Sequence, residues 1–531
     1  MSTGSSALET LGESWKVVAK VLRAVLMKAC INPNIFNLST FLGLILAYLI
    51  SISIYRIWFH PLSKYPGPLL CKLTSLVWTY HFIRGSILMW EQREHNSYGE
   101  IIRLGPNRLS FINPTAWKDI YGHKHGDAKP NVKNLDRAAK SMPSGRLPMA
   151  LEPSLAGHAA QRKQFNPAFS EKAWRKQEVM VSKYIDQFIR RVREEIAKSP
   201  NGGAQLDFGK LYNFLTFDVM GDLTFGEGLG QLETGIESSW VHAVFVMYKL
   251  LNKRSVIKSY PFGGLLFDLF APKGYLQDSA MHIKHCNALV SKRLEKSNEE
   301  RPDIFGYVLN NSGEIMSRPL MNANANMLMV AGTETTATTL TAVTYLLINN
   351  PEKMKKLTLE VQAFSGISEL TSPVLQKMRF LNAVIEEALR MYPVGQVGLG
   401  SQREIAVGGN VVCGQFLPGG TEVAVAAWAM NNSSLHWKDP DKFVPERWLP
   451  DELGFSEYHQ YDNREAWLPF GTGPRTCIGK NMALHEIRGV LAKLVYCVDL
   501  LPPQENVDWL QNKRNNIWAK IPLDICVRLS K

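Results

Sequence analysis

The chain has no Cys-x-x-Cys pair, and its seven cysteines are an odd number. They stand apart at Cys30, Cys71, Cys286, Cys413, Cys477, Cys497 and Cys526, which argues against a disulfide framework and for a reducing compartment. Sequons such as Asn431-Asn432-Ser433 are accordingly read as accidental. Also missing are flexible Gly/Ser or Pro linkers, repeats at a solenoid period and any nucleic-acid-binding motif. The 531 residues therefore read as one large domain behind a terminal segment. The net charge of +12 is dispersed along the chain, so nucleic acid is not expected as a partner.

Ile35–Tyr55 carries no charge and as a helix spans about 31 Å, the thickness of a bilayer's hydrocarbon core. No Ala-x-Ala site follows it, so the run reads as a transmembrane anchor rather than a cleaved signal peptide. Residues 56–68 form a connector whose prolines, Pro61, Pro66 and Pro68, end the helix and stiffen the passage into a domain over 69–531. The leader, 1–34, is basic and apolar at helical spacing from Trp15 to Lys28. It either lies flat on a membrane or is poorly ordered. Because Lys16, Lys20, Arg23 and Lys28 precede the anchor, charge does not set its orientation.

Within the domain helical periodicity dominates, as in Phe380–Met391 ahead of the stop at Tyr392-Pro393. Strand patterns are short and gather near Ile101–Leu109 and Val411–Val425. The expected class is mainly α with small β-sheets, an α+β design.

The chemistry concentrates in Phe470-Gly-Thr-Gly473-Pro-Arg475-Thr-Cys477-Ile-Gly479. A cysteine in this setting is suited to be the axial thiolate of a haem, a ligand that pushes electron density toward O–O cleavage. Gly473 and Gly479 permit close backbone approach, Arg475 can fork onto a haem carboxylate, and Phe470 can shield the sulfur from water.

This loop resembles the ligand loop of the cytochrome P-450 superfamily. Three further segments resemble the same family in the same order. Glu387-Ala-Leu-Arg390 is similar to its Glu-x-x-Arg helix, and Phe443–Trp448 to the segment whose arginine, here Arg447, completes a structural ion triad. Ala331-Gly-Thr-Glu334-Thr335-Thr336 is similar to its oxygen-activating groove. The similarity runs from about Pro61 to the end. It implies the P-450 fold, haem b, dioxygen, and electrons from NADPH passed on by a diflavin reductase. It also implies a single-pass protein of the endoplasmic reticulum membrane with a cytosolic catalytic domain.

On that resemblance Thr335 donates to dioxygen and Glu334 relays protons through water, both acting catalytically. Ala331 and Gly332 leave room in a local helix distortion. Where the family often has Trp-x-x-x-Arg, this chain has His158-Ala-Ala-Gln-Arg162, which keeps an N–H donor and the arginine. His158, Arg162, Arg403 and Arg475 are thus candidates for the haem carboxylates, His158 being as well explained as a surface histidine. Arg162, Lys163, Arg475 and Lys480 would form a basic face that steers the acidic reductase.

The pocket is expected from 122–155, 322–330, 394–400 and 515–518, with Val394, Val397 and Leu399 as an apolar wall. Asn326 and Gln396 either orient a polar group or serve structure. An anchor and an apolar pocket imply a lipophilic small molecule. The entry Tyr55–Pro68 and Pro445-Glu-Arg-Trp-Leu449 resemble filamentous-fungal microsomal members, many of which tailor terpenoids, polyketides or alkaloids. The reading is a monooxygenase that hydroxylates or epoxidises such a molecule. The alternatives are a haem-thiolate isomerase or dehydratase needing neither dioxygen nor reductase, against which Glu334-Thr335 argues, and a sensor without turnover.

Overall fold

The computed structural model describes residues 38–530 except 125, 127–128, 134–146, 238–239, 242–249, 251–252, 272–273, 297–300, 311–315, 396–400, 451–455, 503–508, 510–513, 516 and 519–520. The expected mainly helical class with small sheets is what it shows. The helices needed below are α1 (Leu38–Ile54), α2 (Leu155–Phe165), α3 (Glu171–Ala197), α4 (Phe208–Phe225), α5 (Arg318–Ile348), α6 (Arg379–Met391) and α7 (Lys480–Cys497).

Local chemistry sets their ends. Ser170 caps α3 by accepting the Ala173 N–H at 3.2 Å, and Asp207 caps α4 by accepting that of Lys210 at 3.2 Å. Left-handed Gly226 ends α4. Along α3, Trp174, Val181, Ile185, Phe188 and Val192 are buried while Lys, Arg and Glu take the other side. The same logic buries Phe380, Leu381, Val384, Ile385 and Ala388 on α6, which stops at Tyr392. α5 packs along α4 and also meets α6 and α7, so it crosses the largest apolar core.

Two of the four sheets among the described residues have three or more strands. In one, β1 (Ile101–Gly105) and β2 (Arg108–Phe111) form an antiparallel pair. β2 then runs parallel to β5 (Glu422–Val425), which pairs antiparallel with β4 (Arg403–Glu404). A second core of Leu109, Phe111, Trp117, Val423, Val425 and Trp437 lies against it. The other joins β3 (Gly203–Asp207) and β6 (Val498–Leu501) to the last strand, Asp524–Leu529. That sheet was not expected, because it pairs a strand near residue 205 with two near the end of the sequence.

The apolar helix, described from Leu38 onward, continues through a π turn over Tyr55–Phe59, past the expected end at Tyr55. Ser39–Phe59 is long and apolar enough to cross a membrane, and it is almost wholly outside the core. Arg56 is not a free flanking charge: its Nη1 donates to the Leu73 carbonyl at 2.5 Å. The 1–34 leader and residues 35–37 lie outside the described residues.

Candidate active site

A cavity of about 420 Å³ opens between the loop before α7 and the middle of α5. Phe470, Arg475, Thr476, Cys477 and Gly479 line one side; Ala331, Gly332, Thr335 and Thr339 line the other.

The cysteine loop is closed by the Cys477 N–H donating to the Phe470 carbonyl at 2.9 Å. At Gly473 φ is +76°, and a Cβ there would collide with the Tyr121 carbonyl oxygen, so protein packing alone demands glycine. Gly479 differs. Its Cβ would meet only the Phe169 ring at 3.9 Å, and any requirement for glycine must come from a group beside it. Gly479 is also the N-cap of α7, which turns the positive end of a helix toward the cysteine. Burial pushes the Cys477 thiol up, while the Gly479 N–H, Arg162 and Lys480 pull it down. The side chain is deep in the protein yet accessible, because it faces the cavity.

Arg162 on α2 donates Nη1 to the Thr476 carbonyl at 2.6 Å, so it braces the cysteine loop. Arg475 donates Nη2 to the Pro153 carbonyl at 3.0 Å, while its Nη1 is buried with no partner. The basic face expected from four residues is therefore carried by the exposed Lys163 and Lys480, since the two arginines turn inward.

A cluster of basic side chains meets at the cavity: the cations Arg475, Arg403 and Arg162, the imidazole of His158, and a lysine the sequence reading passed over, Lys133. Burial, then Arg403, lowers Arg475 to about 10. Burial, then Arg475, Arg162, Lys133 and Arg403, lowers His158 to about 4, and the ring is buried rather than on the surface. Burial, then Arg403 and Arg475, pushes Lys133 well below its ordinary value. Arg403 stacks over Tyr121 at 5.0 Å and donates to the Gln402 carbonyl. The one carboxyl among the described lining residues, Glu486, has no partner for Oε1, and burial pushes it up to about 8. Burial thus favours its neutral form, so it offsets little of this charge. Crowded cations with an orphaned guanidinium N–H are what a dianionic ligand would satisfy, so these residues fit the two carboxylates of a haem.

On α5 the Thr335 hydroxyl reaches the cavity and donates to the Ala331 carbonyl at 2.7 Å, a back-bond that favours bending. Glu334 lies one step round the helix, buried, accepting from the Thr338 hydroxyl at 3.4 Å. α5 is continuous through this region, and a Cβ at Gly332 would force the flexible Met220 side chain to shift.

Glu387, Arg390 and Arg447 form a fully buried cluster away from the lining. Arg390 donates to both Glu387 oxygens at 2.9 and 2.8 Å, and Arg447 Nε to Oε1 at 3.1 Å. Burial alone would raise the Glu387 carboxyl, but Arg390 and Arg447 outweigh it and hold it below its ordinary value. Trp448 and Asp462, which sequence reasoning missed, complete the set: Trp448 Nε1 donates to Glu387 at 2.9 Å and Arg447 Nη1 to Asp462 at 2.5 Å.

Of the expected pocket segments, Lys133, Met149, Ala150, Asn324, Met327, Leu328, Val394 and Gly395 line the cavity. Asn326 instead donates to the Asn322 carbonyl. Gln396, Val397 and Leu399 lie outside the described residues, as do the side chains of 515–518. Met220 and Ser401 contribute without having been foreseen.

The family model described as Cytochrome P450 matches residues 66–527. Among curated relatives, "Cytochrome P450 monooxygenase FUM2" of Gibberella moniliformis is 39% identical over 474 residues, covering 88% of this chain and 98% of the relative. "Cytochrome P450 monooxygenase AMT3" of Alternaria alternata is 36% identical over 90% of this chain and 96% of its own. "Cytochrome P450 monooxygenase astA" of Talaromyces wortmannii is 36% identical over 90% and 94%. With the cavity, its cysteine and its cationic rim in place, the chain belongs to the cytochrome P450 family and is a haem-thiolate monooxygenase that takes electrons from a reductase.

Proposed function

We propose that this chain is a membrane-anchored monooxygenase that hydroxylates or epoxidises a lipophilic small molecule in fungal secondary metabolism. The observation that carries the reading is the cavity that Met149, Met220, Met327, Leu328 and Val394 line together with Cys477 and Thr335. Its cofactor is haem b, which when bound supplies the reductive cleavage of dioxygen, so that substrate, O2, two electrons and two protons yield oxygenated product and water.

The chain's own residues do the rest. Cys477 would supply the thiolate that holds the haem iron, with Phe470, Gly473 and Gly479 shaping its loop. Arg475, Arg403 and Lys133 hold the carboxylates, His158 offers an N–H beside them, and Arg162 braces the loop from α2. Thr335 presents a hydroxyl at the cavity and Glu334 supplies protons to it from the helix interior, a relay that keeps delivery off bulk water. Glu387, Arg390 and Arg447 serve structure.

The Ser39–Phe59 helix supports an anchor in the endoplasmic reticulum membrane, with the domain from about residue 69 in the cytosol. Lys163 and Lys480, both exposed, suit an acidic partner, and the partner is an NADPH-dependent diflavin reductase. Microsomes carrying the full chain test this. NADPH under carbon monoxide should form the reduced thiolate complex only when the diflavin reductase is co-expressed. Equal formation without that reductase, or none with it, contradicts the electron route.

A further inference from the structure

A short segment that lines the cavity is held at two points. Asn324 precedes Thr335 on α5 by about three turns, or about 16 Å along the axis. Its Oδ1 accepts the Met149 backbone N–H at 2.8 Å. Its Nδ2 donates to Gln161 Oε1 at 2.9 Å and to the Leu320 carbonyl at 3.0 Å. Gln161, on α2, in turn donates Nε2 to the Leu147 carbonyl at 3.2 Å. Two side chains from two helices thus grip the backbone on both sides of Pro148, which has no N–H to offer. Backbone donor and acceptor fix which way each amide points.

All of this is buried. Asn324 is 2% exposed, Gln161 7% and Met149 8%, and the two amides bond to each other as well as to the backbone they hold. A buried neutral network satisfied in this way specifies one arrangement, and removing one member orphans the others. Both Asn324 and Met149 line the cavity. The Met149 thioether is flexible, so the clasp fixes where the wall stands while the side chain adapts to what it meets.

We propose that Asn324 is a specificity-determining positioning residue. By clasping Met149 directly, and Leu147 through Gln161, it fixes the end wall of the substrate cavity and so the length of molecule admitted. A molecule longer than the closed cavity must break the clasp; a short one never feels it. The inference rests on haem lying in this cavity, with a ligand's near end at Cys477's opposite face and its far end toward Met149.

The probes are imidazole and 1-alkylimidazoles of increasing chain length, titrated optically against full-length holoprotein. In wild type, affinity rises with length and then falls where the tail meets the wall. In Asn324→Ala the fall-off moves to longer chains, with about a tenfold gain for the longest, while imidazole itself changes less than about twofold. Gln161→Leu, which removes only the Leu147 half, moves it in the same direction and serves if Asn324→Ala does not load haem. Hydrogen exchange of the Met149 amide should rise in both variants. A parallel shift of the whole series, or an unchanged fall-off with faster exchange, overturns the inference alone. Failure of imidazole to bind wild type overturns the haem placement as well.

Discussion

Single side chains carry the chemistry, and each has a measurable consequence. Cys477→Ser should abolish the thiolate signature of the reduced carbon-monoxide complex together with product formation; survival of either would remove Cys477 from its role. Thr335→Ala should leave reductant consumption largely intact but lower product per reductant by about tenfold or more, read by measuring both in one reaction. Unchanged coupling would place proton control elsewhere. A third residue concerns stability. His95 is 2% exposed, with Nδ1 2.8 Å from the Gly99 carbonyl and Nε2 2.9 Å from Ser110 Oγ. Burial lowers it to about 4, against a smaller upward pull from Gly99. Between that value and the ordinary 6.5 the unfolded chain binds a proton that the folded one refuses. Stability therefore rises with pH across this window and is lost as pH falls through it, by about 3 kcal/mol in all. His95→Gln should flatten the pH dependence of the unfolding midpoint there; an unaltered slope would contradict it. Legibility at this scale followed the chain. Cys477, Gly473 and Arg475 stand in one short stretch and were readable, whereas Lys133 and Glu486 reach the cavity only through folding and gave no local sign.

Elements position those residues. The helix α6 was readable because its apolar period runs cleanly to Tyr392-Pro393, and Glu387 with Arg390 falls on one face at i, i+3. Asp462 and Trp448 were not, since nothing in their spacing points at Glu387. Breaking this cluster leaves buried charge uncompensated, so Arg447→Ala should cost about 3–5 kcal/mol and show as lowered haem retention in a denaturant series. A variant as stable as wild type would contradict the burial. The local distortion expected around Gly332 gave way to a different cause. Gly332 makes room for Met220 on α4, and a helix pattern cannot reveal the neighbour it will pack against. The sheet that includes Asp524–Leu529 escaped notice for the same reason, since no turn signal links its three strands.

On the proposed function, the anchor and the cavity act together at the scale of the whole molecule, bringing a lipophilic substrate from a membrane to a largely apolar site. The long apolar helix was legible from its uncharged length alone, although it runs to Phe59 and Arg56 folds back onto the domain. Charges at its centre should undo the anchor. Leu46→Lys with Leu49→Lys, at about 2.5–3.5 kcal/mol each, should shift the full chain from the membrane pellet to the supernatant. Retention in the pellet would assign membrane binding to another surface. What no residue selects is the carbon skeleton, because a wall of methionine, leucine and valine excludes little by chemistry. The most direct test is an accurate-mass comparison of the source organism's metabolites with and without this chain, grown under ¹⁸O-labelled dioxygen. The account predicts a lost product carrying one labelled oxygen and an accumulating precursor lighter by that atom. An accumulating isomer or hydrated precursor, with no label in the product, would contradict it.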